Sequence, residues 1–375
     1  MGTRTRNFAN NILSGGTIDG TDFLSGAVAA PNIANSSAVN VDSIPSISNV
    51  ISPVAGDPPS PVIGDIWYNS VAKKLRYQGF GVASWATGGN LNTARGWVGS
   101  AGNKTAAVIF GGSINPYPTF TGATEEYDGS SWTSGTNAPS PLSGVGSTGV
   151  GLQTAALSFG ANGAAVYTNN SAHYDGSSWT AGGNMNNTSR DRNGAGISTA
   201  ALGANAYLPG SQATTASEEY DGSSWTTITA TGSARYEGMG FGVQTSAIVC
   251  GGRNPPTSNL TAAEEWNGSS WTAITSLPQG THKGQGAGTT TDGCVFGGVG
   301  SPFYPTYNYL NNKVDYDGST WAISPATMAT SRSYFGGDAT TSSDIYAAGG
   351  SPTPYTSATE EFEPAAPLTK NFAND

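Results

Sequence analysis

Adjacent carboxylates recur along this 375-residue chain, as Glu125-Glu126, Glu218-Glu219, Glu264-Glu265 and Glu360-Glu361. Two neighbouring carboxyl groups are the apparatus of glycoside hydrolysis, so acidity alone leaves a carbohydrate-active enzyme open. Their regular return speaks against it and marks them as parts of a repeated framework. Arginines return with them. Repeats that carry a doublet also carry Arg95, Arg190, Arg235 or Arg332 ahead of an apolar segment. The repeat with Ala172-His173 in place of the doublet has Ser143-Gly144 in place of the arginine, and the repeat with Val314-Asp315 has His282-Lys283. Joint loss predicts that arginine and one glutamate meet inside each repeat as a partly buried, bidentate ion pair: Arg95 with Glu125, Arg235 with Glu264, Arg332 with Glu360.

Other reactive side chains are scarce. His173 and His282 are the only histidines and occupy different places in their repeats, which gives neither a histidine metal site nor a Ser-His-Asp relay. Cys250 and Cys294 lie in matching apolar segments and read as buried free thiols. Gly-Gly doublets end strands instead of opening helices, so no phosphate cradle is indicated. No catalytic residue, metal or cofactor is expected. Charged residues make up 11% of the chain and the formal charge is −10, a poor match for nucleic acid. No apolar run is long enough for a membrane span.

The elements that must position these residues follow from one phrase. It stands as Glu125-Glu-Tyr-Asp-Gly-Ser-Ser-Trp132 and returns in variants ending at Trp179, Trp225, Trp271 and Trp321. With Trp85, these tryptophans are 46–50 residues apart, a propeller-range period. Each period holds a Gly-rich segment, an apolar strand ending in Gly-Gly, a loop, the Glu-Glu-Tyr strand, an Asp-Gly hairpin signal and a Trp-Thr strand. That is four short antiparallel strands, a to d. The last period ends at Glu360-Glu-Phe362 without its tryptophan, and Trp85 stands before the first strand a. The fold expected is all-β: a six-bladed β-propeller of four-stranded blades over 82–366, its last blade closed by the N-terminal strand around Trp85. The recurring aromatics are expected to pack between blades.

The order of arginine, apolar strand, Gly-Gly, tyrosine, turn and tryptophan resembles the Kelch family of propellers, over about three quarters of the chain. That resemblance implies a fold, not a function. Function is expected where the repeats diverge, in the b–c loops, which all leave one face. Their tyrosines and phenylalanines are the candidate contacts: Tyr117, Phe120, Tyr167, Tyr207, Phe303, Tyr304, Tyr307, Tyr309 and Tyr355.

The ends lack the repeat. Residues 1–60 read as an extended anchoring arm and 61–81 as a β-hairpin connector. Gly64-Asp-Ile-Trp-Tyr-Asn-Ser70, Leu75-Arg-Tyr77 and Trp85 together resemble a recurring stretch of bacteriophage tail-fibre and other virion proteins. Thr5-Arg-Asn-Phe-Ala-Asn-Asn11 nearly repeats as Thr369-Lys-Asn-Phe-Ala-Asn-Asp375. Phe8 and Phe372 are therefore read as pegs for assembly, the second within a tail over 367–375. The resemblance implies a non-enzymatic virion protein, tail-fibre-like, made in the host cytoplasm without an export signal. Its partners would be other virion proteins through 1–60 and 367–375, further copies of itself, and a host surface glycan or protein. The alternatives are a cell-associated Kelch-like adhesin or scaffold, or a capsid-decorating protein.

Overall fold

The computed structural model describes residues 53–371 except 117, 140–149, 164–165, 211, 255–258 and 302–306. Expectations for Phe8, Tyr117, Phe303, Tyr304, Phe372 and nearly all of the arm fall outside these residues. The chain divides into two compact units, Ser84–Glu363 and the remainder at both ends. Both are built from strands, and no helix occurs among the described residues.

The larger unit repeats one antiparallel sheet. In the first repeat the order is Trp132–Gly135, Thr124–Tyr127, Ala106–Phe110, Gly99–Asn103, from outer to inner strand. The next four repeats give four-stranded sheets of the same order. In the sixth, Thr359–Glu363 lies between Tyr346–Ala348 and Ser84–Thr87, with Phe362 opposite Trp85. The outermost strand of that sheet thus comes from the start of the unit.

The Asp-Gly signal makes a hairpin, but not a two-residue one. Tyr127 pairs with Trp132, leaving four residues in the loop. Asp128 Oδ1 accepts the backbone N–H groups of Ser130 and Ser131, both at 2.8 Å. Gly129 supplies the φ of 89° that this Asx turn requires. Hydrogen bonds from Ser131, then Ser130, hold the Asp128 carboxyl down at about 2. Asp175, Asp221, Asn267 and Asp317 close their loops in the same way.

The core lies between neighbouring sheets. Trp179 packs edge-on to Phe110 of the preceding repeat, 4.8 Å between centroids, and against its own Tyr174 at 4.9 Å. Val108, Phe110, Ala156 and Tyr174 form one such layer, and Leu157, Phe159, Tyr220 and Trp225 the next. The sixth sheet meets the first through Trp132, Tyr127, Tyr346 and Ala348. Ser100 Oγ accepts from Gly337 N across the same seam, at 3.0 Å. Glycine lets the inner strands approach: a Cβ on Gly240 would stand 2.5 Å from Gly194 O, and one on Gly286 2.8 Å from Gly240 O.

The smaller unit is one sheet in the order Pro53–Val54, Ile66–Asn69, Lys74–Phe80, Pro367–Asn371. Asp57 ties it, accepting from Trp67 Nε1 and Asn69 Nδ2 at 3.0 Å each and pairing with Arg76. The sequence reading separated 61–81 from 367–375, whereas here they share a sheet. Arg76 lies opposite Asn371 and Phe80 opposite Pro367. The tail strand that leads to Phe372 is therefore bonded to its own chain's hairpin.

Candidate binding site

The glutamate doublets divide their work. The first carboxylate stays inside its repeat. Arg95 Nη2 lies 2.7 Å from Glu125 Oε1 and Arg235 Nη2 2.5 Å from Glu264 Oε1, and Arg332 pairs likewise with Glu360. All three guanidinium groups are fully buried. The contact is through one nitrogen, not bidentate, because Nη1 is spent on backbone carbonyls: Gly111 and Ala123 for Arg95, Gly251 and Ala262 for Arg235. The third repeat corrects the sequence reading. Ser189 takes the position of Arg95, and the partner of Glu218 is Arg192, at 2.9 Å, not Arg190. In the fifth repeat Thr281 and Val314 fill the two positions.

The second carboxylate reaches the aromatic of the following repeat. Tyr174 donates to Glu126 at 2.9 Å, Trp266 Nε1 to Glu219 at 3.2 Å, and Tyr127 to Glu361 across the sixth–first seam. In the second repeat His173 replaces the glutamate, its Nε2 shares a hydrogen bond with Tyr220 Oη at 2.8 Å, and burial lowers its pKa. These carboxylates tie each repeat internally and to its neighbour.

The inner strands line a cavity of about 290 Å³, walled by glycines and apolar side chains such as Val150, Ile197 and Phe241, with Arg192, Asn193 and Gln285 among them. Its rim, on the side of the b–c loops, is unlike its wall. Two residues beyond each arginine position the backbone turns left-handed: Trp97 (φ 61°), Asp191 (54°), Glu237 (55°), Lys283 (60°) and Tyr334 (53°). Only glycine adopts this conformation freely, and other residues incur roughly 1–2 kcal/mol each. Backbone bonds join these positions from one repeat to the next. Glu237 N donates to Asp191 O at 3.3 Å, Lys283 N to Glu237 O at 2.8 Å, Tyr334 N to Lys283 O at 3.1 Å, and Trp97 N to Tyr334 O at 2.7 Å. A shared backbone thus presents five different side chains to one opening.

Glu237 is the hub. It accepts from Tyr334 Oη at 3.0 Å, and Arg253 Nε and Lys283 Nζ stand 2.8 and 3.7 Å away. Burial pushes its carboxyl up, but Lys283 and Arg253 outweigh that and hold it below its ordinary value. Asp191 has one close cation, Arg190, at 2.8 Å. Burial, then the charge of Glu237, raises its carboxyl to about 7. His282 is driven by burial down to about 3 and is neutral, so its 3.9 Å approach to Glu237 is no ion pair. Lys283 Nζ lies 4.1 Å from the Tyr334 ring and 5.5 Å from Trp97, which stacks on Tyr334.

Several predicted loop aromatics converge here. Tyr167 and Tyr207 flank Arg190, whose guanidinium carbon is 5.6 and 4.6 Å from their ring centres. Tyr307 is 51% exposed, stacks on Tyr309 at 5.8 Å and lies 5.4 Å from Lys283 Nζ. Phe120 is half-buried in a short ribbon beside Ser113–Ile114. Tyr355, expected on display, is buried, because glycine at position 96 leaves room for its ring. The rim residues themselves escaped the sequence reading. Their signal was one column of the repeat filled by Trp, Asp, Glu, Lys and Tyr.

Cys250 and Cys294 are buried free thiols, and burial pushes both up to about 12. Among the described residues no group of three His, Cys, Asp or Glu is placed to hold a metal ion, and no helix could cross a membrane. No family model matches the chain, and no curated protein matches it either.

Proposed function

We propose that the chain is a non-enzymatic binding protein of a bacteriophage particle, tail-fibre-like, whose Ser84–Glu363 unit is a six-bladed Kelch-like propeller closed by Ser84–Thr87. Closure is supported by the pairing of Ser84–Thr87 with Thr359–Glu363 and by the bonds from Ser100 and Tyr127 to the sixth sheet. Virion attachment through the ends is supported by the resemblance of Gly64–Ser70, Leu75–Tyr77 and Trp85 to phage fibre segments. The joining of that hairpin to Pro367–Asn371 in one small sheet fits the same role. The binding role rests on one observation: a constant strained backbone carries Trp97, Asp191, Glu237, Lys283 and Tyr334 at equivalent positions around one opening. Strained backbone of this kind clusters at functional sites, ligand clamps among them. The face would contact a host surface or a neighbouring virion protein.

Electron microscopy of particles from the source culture, labelled with antibody to residues 85–366, tests the assignment. Label at a fixed place on phage particles is expected, and its position separates tail from capsid. Label on cells with bare particles would replace this reading with a cell-associated Kelch-like adhesin.

A further inference from the structure

We propose that the rim binds an acidic polysaccharide, a sugar chain bearing carboxylates, along an arc of alternating cations and aromatic rings. This rests on the reading of the unit as a binding module and names the class of its ligand.

The arc has two stretches, joined where Arg253 and Lys283 both approach Glu237. Tyr167 is followed by Arg190, then Tyr207, then Tyr236 with its ring centre 4.4 Å from that of Tyr207. Arg253 lies over Tyr236 at 4.9 Å, and Lys283 beyond it is flanked by Tyr334 and Tyr307. Tyr307, 51% exposed, offers an aromatic face to a sugar ring, Tyr236 is buried and supports Arg253 from below, and the partly exposed guanidinium groups suit charged substituents. Rings and guanidinium groups are held rigid by mutual stacking and by Asp191 and Glu237, so little side-chain freedom is lost on binding.

Charge selects the ligand. Arg190, Arg253 and Lys283 face two carboxylates, Asp191 and Glu237, with His282 neutral. The rim is therefore locally positive in a chain whose formal charge is −10. The Arg190 and Arg253 side chains are 21% and 26% exposed, within reach of a ligand. A guanidinium offers five N–H donors, and a carboxylate that takes two still leaves Arg190 able to hold a second anion. A neutral glycan would use the rings and leave the cations idle.

The test is isothermal titration of the full chain with a galacturonic-acid hexasaccharide, beside neutral dextran oligosaccharide and oligo(dT). Saturable binding of the uronate alone is expected, weakening as salt rises. Arg190→Gln and, separately, Arg253→Gln should each reduce affinity about tenfold or more while still unfolding cooperatively well above the titration temperature. Lys73→Gln, in the hairpin of the other unit, should leave affinity unchanged. No uronate binding by the wild type, undiminished binding by both rim variants, or equal binding of dextran or oligo(dT) would overturn the inference. Adhesion to host cells that persists in excess uronate would refute the ligand class and leave the binding role standing. Particles without label would refute the virion reading while uronate binding survived.

Discussion

Removing the guanidinium of Arg235 should unfold its repeat far more readily than removing any exposed arginine. Arg235 is fully buried, and its Nη1 serves Gly251 O at 3.2 Å and Ala262 O at 2.6 Å. Its Nη2 serves Glu264, which also accepts Gly232 N at 2.5 Å and Ser233 N at 3.2 Å. Arg235→Met keeps the length of the side chain and discards every donor. It strands a buried carboxylate and two carbonyls, a loss of about 3–5 kcal/mol. At about 2 °C per kcal/mol for a unit of this size, the melting temperature should fall by roughly 6–10 °C. Glu264→Leu should be comparably harmful, since it leaves the arginine charge buried instead. The double variant Arg235→Met/Glu264→Leu removes both charges, and its cost should fall short of the sum by about 1–3 kcal/mol. Thr281 and Val314 make the same replacement naturally in the fifth repeat. Urea unfolding of the four proteins, followed by tryptophan fluorescence, gives the cycle. Fully additive losses would refute the pairing as an energetic unit.

Four further outcomes are expected. Arg192→Ala should destabilise by about 3–5 kcal/mol and Arg190→Ala by about 1 kcal/mol or less, because Arg192 is itself fully buried with Glu218, whereas Arg190 is partly exposed and its partner Asp191, with a carboxyl raised to about 7, can take up a proton instead; equal losses in urea titrations would contradict the assignment. Tyr127→Phe should cost about 1–2 kcal/mol through its lost bond to Glu361, and an unchanged midpoint would dismiss that seam contact. Asp191 has a carboxyl raised to about 7 in the fold, against an ordinary value near 4 when unfolded. Its ionisation therefore opposes folding, so stability should decline from about pH 4 to pH 7 relative to Asp191→Asn, and parallel curves would show that it does not titrate there. Cys250 and Cys294 should react with a thiol reagent only after unfolding; rapid labelling of the native protein would contradict their burial.

The period was readable because each repeat buries the same aromatics, and the ion pairs because a repeat that lacks the arginine also lacks the glutamate doublet. Reading stopped where geometry is decided by neighbours. Arg190 and Arg192 flank one aspartate, and spacing alone cannot say which turns inward once Ser189 has displaced the usual arginine. The left-handed rim was hidden because that conformation is usually announced by glycine, while here bonds between repeats impose it on Trp97, Asp191, Glu237, Lys283 and Tyr334. Tyr355 was misjudged because its burial depends on Gly96, distant in sequence. The tail strand was misread because pairing with Lys74–Phe80 is a long-range choice that a five-residue segment does not advertise.

The pairing of Ser84–Thr87 with Thr359–Glu363 also sets a schedule for synthesis. The earlier strand leaves the ribosome about 280 residues before its partner. At about 5–20 residues per second it waits roughly 15–55 s with an unpaired edge. The Lys74–Phe80 strand waits similarly for Pro367–Asn371. Five intermediate sheets can form locally during that interval, but the first and last stages of both units are completed together, at the end of translation. A nascent chain is therefore exposed to strand capture by neighbouring copies until its final residues emerge, and a ribosome that stalls before residue 359 releases a product with two open edges.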